Sequence, residues 1–273
     1  MDQYMPLIRW LQRQMGEHSN SAYLLGIYGA QGTGKTTLAQ LLCRTLHDME
    51  GRSVISVSID DFYRTRRERQ QLARSVHPLL ATRGVPGTHD VDLALATIRG
   101  VRALGAGESI AIPRFDKAAD DRAPESEWTR VCGPVDLVIL EGWCVGSEPA
   151  NAESLLEPIN ALEREEDEGG TWRRFVNDSL MYYQPLFELI DGLLMLRAPS
   201  FETVLRWRIE QERKLRPSSL KNSDRIMSDA DIRRFVQFFQ RLTVASDATV
   251  AAKADVIVHL GTDHQPLAVD INS

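Results

Sequence analysis

An α/β fold is what this sequence predicts: a parallel sheet of about five strands, flanked by helices in three layers. Three observations predict it. Five short runs rich in branched apolar residues punctuate the chain. Apolar residues at helical spacing fill the stretches between them, and each run ends at a glycine loop or a charged residue. Strands buried on both faces read as continuous apolar runs, and their alternation with helices is the pattern of a parallel sheet.

In chain order, residues 1–20 hold a helix whose apolar positions (Met5, Leu7, Ile8, Leu11, Met15) predict docking on the body. The first strand, Tyr23–Tyr28, enters a glycine-rich loop. Leu38, Leu41, Leu42 and Leu46 then form one helix face, and Gly51 is placed to end that helix. Val54–Ile59 predicts a second strand ending at Asp60-Asp61, and Val135–Leu140 a third ending at Glu141-Gly142. Gly192–Leu196 and Val256–Leu260 complete the set, ending at Arg197 and Gly261. Ligands of open parallel sheets bind beyond the carboxyl ends of the strands, so Gly29, Asp60, Glu141 and Arg197 should gather along one edge. There is no internal repeat, and residues 1–273 read as a single domain. The arginine-rich run Arg64–Arg74 reads as a solvated helix face, Phe62 and Tyr63 as packing residues, and Glu163–Gly170 as a solvated loop or frayed helix end.

Composition sets the outer bounds. The chain has 273 residues, 43% hydrophobic and 26% charged, which excludes a largely disordered, collagen-like or coiled-coil chain. No apolar run approaches the ~18 residues needed to cross a bilayer. Met1-Asp2-Gln3-Tyr4 lacks a basic segment followed by an apolar one, so a secretory signal is not expected. Cys43, Cys132 and Cys144 are too few for a disulfide framework or a zinc site, so a reduced, cytoplasmic setting is expected. A net charge of -6 without a basic run argues against a nucleic-acid partner. The segment from Asp60 to Arg122 nevertheless carries eleven Lys/Arg against nine Asp/Glu, a local excess of positive charge suited to a small anion.

The strongest chemical signal is Gly29-Ala30-Gln31-Gly32-Thr33-Gly34-Lys35-Thr36-Thr37, which contains G-x-x-x-x-G-K-[ST] between a predicted strand and a predicted helix. Such a loop turns successive backbone N–H groups toward phosphate oxygens, and the following helix adds its N-terminal partial charge. Lys35 would reach the β- and γ-phosphates of ATP, and the Thr36 hydroxyl would bind Mg2+. A chance match in a chain of this composition is expected roughly 0.002 times. The guanine-reading pattern N-K-x-D is absent. Two strand-end carboxylates suit transfer to a hydroxyl instead: Asp60 as acceptor of its proton, Glu141 as a holder of water on Mg2+.

Further segments carry a resemblance. Ser58-Ile59-Asp60-Asp61-Phe62-Tyr63 resembles the strand-end motif of the phosphoribulokinase, uridine kinase and pantothenate kinase superfamily. The blocks Arg83–Asp90, Ile112–Lys117, Leu140–Trp143 and Met227-Ser228-Asp229 are similar to those of D-glycerate 3-kinases, a likeness running from about Tyr23 to Ile271. The resemblance implies a nucleoside-kinase-like P-loop NTPase fold with a lid over about 198–240. It also implies an ATP-dependent kinase acting on the 3-hydroxyl of D-glycerate, with Asp60 as base. Within Leu205-Arg206-Trp207-Arg208-Ile209, Arg208 matches a lid arginine that closes over the phosphates, although Trp207 interrupts the Arg-Arg pair of uridine kinases.

A small carboxylate acceptor needs fixed cations and hydroxyl partners, which the segment from about 60 to 130 supplies. Arg83 and Arg114 could each grip it through two parallel hydrogen bonds, with Lys117 adding a point charge. His89 and Asp90 suit its hydroxyls, and Asp116 belongs to the same set. Gly261-Thr262-Asp263-His264 is expected beside the adenine base. Other acceptors (pantothenate, a nucleoside or a sugar) and an inactive ATP-binding regulator remain open, the last opposed by intact Lys35, Thr36 and Asp60.

Overall fold

The computed structural model describes residues 2–18, 21–215 and 228–272. Its helices and strands follow in the order α1 (Met5–Glu17), β1 (Tyr23–Gly29), α2 (Lys35–Glu50), β2 (Val54–Ser58), α3 (Arg66–Ser75) and α4 (Val91–Arg102). Four short strands come next: β3 (Ser109–Ile112), β4 (Phe115–Asp116), β5 (Asp121–Arg122) and β6 (Thr129–Cys132). Then follow β7 (Leu137–Gly142), α5 (Ala161–Glu166), α6 (Thr171–Ser179), α7 (Gln184–Phe187) and β8 (Gly192–Arg197). The chain closes with α8 (Phe201–Leu215), α9 (Asp229–Ala251), β9 (Val256–Leu260) and β10 (Pro266–Ile271).

The main sheet has six strands in the order β10-β9-β8-β1-β7-β2. All neighbours pair in parallel except β10, which runs antiparallel to β9. The sequence predicts five strands. The sixth is an edge strand whose apolar run is only Leu267-Ala268-Val269, and it is mostly exposed, with Leu267 73% accessible.

Alternation along the strands builds the three layers, since successive side chains point to opposite faces. Leu25 and Ile27 of β1 and Ile139 of β7 pack with Leu7 and Leu11 of α1 and Leu38, Leu42 and Leu46 of α2. Leu24, Tyr28, Val138 and Leu140 face the other way, onto Ile98 of α4 and Phe238, Phe239 and Leu242 of α9. Helix α2 ends at Gly51, whose positive φ of +66° lets its N–H return to the His47 carbonyl at 2.8 Å.

The two charged runs are largely solvent-facing, as expected, but single residues within them turn inward. Arg69, on the arginine-rich helix α3, is completely buried. Its guanidinium donates to the carbonyls of Arg64 (2.7 Å), Ala81 (3.4 Å) and Asp120 (2.9 Å), and pairs with the Asp120 carboxylate at 2.7 Å. The β4–β5 hairpin is thereby tied to α3. In the acidic stretch, Glu163 and Asp167 are also buried, because Arg241 and Arg173 neutralise them. Asp167 further caps α6 by accepting from Trp172 N–H at 2.8 Å.

Of the expected lid, residues 216–227 lie outside the described residues, Met227 among them. Helix α9 starts at Ser228, whose hydroxyl accepts from Asp231 N–H while the Asp231 side chain accepts from Ser228 N–H, a reciprocal cap. Among the described residues no helix is long and apolar enough to cross a membrane. Removing one partner of a buried ion pair is costly, so Arg69→Met is expected to destabilise the fold by about 3 kcal/mol. The urea midpoint would report this; an unchanged midpoint would show that the hairpin is anchored without Arg69.

Candidate active site

The loop after β1 ends at Gly34, whose φ of +89° is open to glycine and admits the chain into α2. Within it, the Thr33 hydroxyl and the Lys35 ammonium both donate to the Ala30 carbonyl, at 2.8 and 3.0 Å. Burial pushes the Lys35 pKa down, opposed by the charges of Glu141 and Asp60. On the first turn of α2, the Thr36 hydroxyl donates to Glu141 Oε1 at 2.9 Å. Glu141 is 5% exposed near the end of β7. A hydroxyl and a carboxylate thus stand together at the mouth of the loop.

Asp60 sits on a short 3-10 turn, Ile59–Phe62, directly after β2. Its Oδ1 accepts from the Tyr63 hydroxyl at 2.7 Å and its Oδ2 from Lys117 Nζ at 2.8 Å. Burial works to raise its pKa, but the Lys117 charge and these two hydrogen bonds hold the carboxyl below its ordinary value. Asp61 turns away to Arg114 Nη1 at 2.8 Å, and burial raises its pKa. Adjacent carboxylates therefore serve different sides of the turn.

A cleft of about 360 Å³ joins these groups, with Lys35, Thr36, Asp60, Arg83, Lys117 and Glu141 on its walls. Arg208 of α8 reaches the same cleft, its guanidinium 5.7 Å from the centre of the Phe235 ring. A second cavity of about 530 Å³ lies against Gly32–Leu38 and is walled by Trp207, Glu210 and His264. There the Trp207 ring stacks on His264 with centroids 4.1 Å apart, and its Nε1 donates to the Thr262 carbonyl at 2.9 Å. The segment Gly261–His264 is the turn joining β9 to β10.

The acceptor segment is brought only partly to the cleft. Arg83 and Lys117 line it; Arg83 also bonds Asp120 and lies over the Phe115 ring at 5.6 Å. The other four predicted residues do not line it. His89 is buried one layer back, stacked on Tyr63 at 4.6 Å, with Nδ1 2.7 Å from the Tyr183 hydroxyl. Asp90 caps α4 through Leu93 N–H at 3.2 Å and pairs with Arg122 at 2.9 Å. Arg114 is held by Asp61 and by Thr129 at 2.8 Å. Asp116 accepts from the N–H groups of Ala118 and Ala119 at 2.7 and 3.1 Å, shaping the hairpin turn.

No family model matches the chain. It is 34% identical over 273 residues to an uncharacterized kinase of Schizosaccharomyces pombe, covering 97% of this chain and 94% of that protein. A chloroplastic D-glycerate 3-kinase of Arabidopsis thaliana is 29% identical over 250 residues, 85% of this chain and 51% of that protein. The solved structure of a D-glycerate 3-kinase from Cryptococcus neoformans shares the fold, with a TM-score of 0.77, 22% identity and 97% and 98% of the two chains covered. The chain belongs to the D-glycerate 3-kinase-like P-loop kinases.

In this D-glycerate 3-kinase-like chain Tyr63 does more than pack. Residues i and i+3 eclipse in a 3-10 turn, so three residues after Asp60 is where a side chain can return to it. That spacing was the available signal. Trp143, two residues beyond Glu141, also lines the cleft, and its Nε1 donates to the Gly84 carbonyl at 2.9 Å.

The stack behind Asp60 has a measurable consequence. Burial lowers the His89 pKa from 6.5 to about 4, against the opposing charge of Asp60. The unfolded chain takes up the imidazole proton near its ordinary pKa and the folded chain resists it, so stability is lost as pH falls from that value toward the lowered one. His89→Asn lacks this titration. The stability difference between wild type and variant should narrow by about 2 kcal/mol from pH 7 to 4.5 in urea melts. A constant difference would mean that His89 is not held neutral.

Proposed function

We propose that this kinase transfers the γ-phosphoryl group of ATP to a hydroxyl of a small hydroxy acid, D-glycerate giving 3-phosphoglycerate. The observation that carries the reading is one cleft in which Asp60 and the cations Lys117 and Arg83 face Lys35, Thr36 and Glu141. The name of the Arabidopsis relative supports the choice of acceptor.

In this reading the loop amides from Gly29 to Thr37 receive the phosphate oxygens, and Lys35 turns from the Ala30 carbonyl to the β- and γ-phosphates. The Thr36 hydroxyl and, through water, the Glu141 carboxylate would hold Mg2+, which the adjacency of the two groups fits. Among the described residues no cluster of three or more His, Cys, Asp or Glu could hold a metal ion. When bound, Mg2+ supplies neutralisation of charge on the phosphate oxygens.

The acceptor hydroxyl faces the γ-phosphorus and gives its proton to Asp60. Its oxygen bonds to phosphorus as the bond to the β,γ-bridging oxygen breaks and ADP leaves. A carboxylate of lowered pKa suffices as base, because a loose transition state releases the proton late. Arg83 and Lys117 favour an anionic acceptor over a nucleoside or a neutral sugar. Arg208 would close over the phosphates from α8.

ADP release from Mg-ATP should rise with D-glycerate and stay at background with pantothenate, uridine or a neutral sugar. No stimulation by D-glycerate would sink the acceptor assignment. Asp60→Asn should bind ATP normally and lose at least ~100-fold in kcat, the scale of general-base removal.

A further inference from the structure

Lys117 bonds the very oxygen that the proposed base would need. Both Asp60 oxygens are engaged, Oδ1 by the Tyr63 hydroxyl and Oδ2 by the Lys117 ammonium. The two partners differ in freedom. Tyr63 is 4% exposed and clamped against His89 and Phe115, whereas the Lys117 side chain is 61% exposed on the turn between β4 and β5. Arg83, the other cation of the acceptor wall, is tied to Asp120. Lysine presents a point charge on a flexible four-carbon stem, and an ion pair this exposed is weak enough to exchange.

We propose that Lys117 acts as a charge-reading latch: without an anionic acceptor its ammonium occupies Asp60 Oδ2, and the carboxylate of an arriving acceptor draws it off. The inference rests on the kinase reading above. A carboxylate competes for the ammonium on the same chemical terms as Asp60; a neutral alcohol or water does not. Once released, Oδ2 takes the acceptor's hydroxyl proton while that oxygen bonds to the γ-phosphorus and ADP departs. An anionic acceptor thus gains twice, in affinity and in an unmasked base. Water meets a base already engaged, which limits idle hydrolysis of ATP.

The test compares wild type, Lys117→Ala and Lys117→Arg in three measurements: ATP hydrolysis without acceptor, and kcat/KM for D-glycerate and for glycerol, its uncharged counterpart. Lys117→Ala should raise acceptor-free hydrolysis about fivefold, the scale of losing one weak ion pair. It should raise kcat/KM for glycerol and lower that for D-glycerate about 10- to 100-fold, as expected for a lost charge-assisted hydrogen bond. Adding Asp60→Asn should abolish the rise, and Lys117→Arg should restore the preference for the charged acceptor.

Equal losses for both acceptors with no rise in hydrolysis would overturn the latch and make Lys117 a uniform phosphate or structural cation. The two readings fail separately. If neither acceptor stimulates wild type yet Lys117→Ala hydrolyses ATP faster in an Asp60-dependent way, the acceptor assignment falls and the latch stands. If D-glycerate stimulates wild type but Lys117→Ala leaves hydrolysis and the acceptor ratio unchanged, the latch falls and the kinase reading stands.

Discussion

The parallel pairing of β1, β7 and β2 is the constraint on which the site depends. Its register sets Ile27, Glu141 and Ser58 side by side across three strands. Two residues beyond that row the chain reaches Gly29 at the end of β1 and Asp60 on the turn after β2, while Glu141 stands in the row itself. The nucleotide loop, the Thr36–Glu141 contact and the proposed base are therefore delivered to one level of one sheet edge. A slip of one residue in β7 would turn Glu141 from the α2 face of the sheet to the α4 face, away from Thr36, because side chains alternate between faces. The buried apolar partners on both sides of the sheet thus hold the polar geometry in register.

Charge on the acceptor side is arranged in pairs rather than as a basic patch. Lys117 meets Asp60, Arg83 and Arg69 meet Asp120, Arg114 meets Asp61, and Arg122 meets Asp90. Around the cleft the segment's cations are held by its own carboxylates, so its local positive excess is not gathered there as a basic patch. Most of these carboxylates belong to the folded frame: Asp120 fastens the hairpin to α3 and Asp90 begins α4. Only the Lys117–Asp60 pair has a strongly exposed cation facing the phosphate side. That asymmetry separates the ion pairs that build the wall from the one that can open.

The three-layer fold and the phosphate loop were legible because each rests on a local, periodic or motif-level signal. Apolar runs marked the strands, and the glycine spacing marked the loop. Asp60, Asp61 and Glu141 were legible by the same logic, since a strand-end position specifies where a side chain emerges. The acceptor wall was legible only in part: Arg83 and Lys117 line the cleft, whereas His89, Asp90, Arg114 and Asp116 are held by other partners. Nothing near Arg69 in sequence announces that Asp120 will cover it. Likewise Glu163 and Asp167 read as solvent-facing until Arg241 and Arg173, on other elements, neutralise them. The edge strand β10 was missed because its apolar run, Leu267-Ala268-Val269, is short.

The tryptophan that interrupts the arginine pair on α8 has a structural reason. Trp207 and Arg208 are consecutive, so their side chains leave the helix about 100° apart. Trp207 turns to the cavity beside Gly32–Leu38 and stacks on His264, while Arg208 turns to the cleft with Asp60 and Lys117. A side chain at Gly32 would stand 3.2 Å from Trp207 Cβ, so the close approach of α8 to the loop uses the absence of one. Helix α8 is in this way a partition between the two cavities. Its apolar residue anchors it to the β9–β10 turn, leaving Arg208 on the cleft with Asp60 and Lys117. An arginine in place of Trp207 would bring a second charge to the wrong face and remove that anchor. The departure from the uridine-kinase pattern is therefore a change in how the helix is held, with an arginine kept on the cleft side.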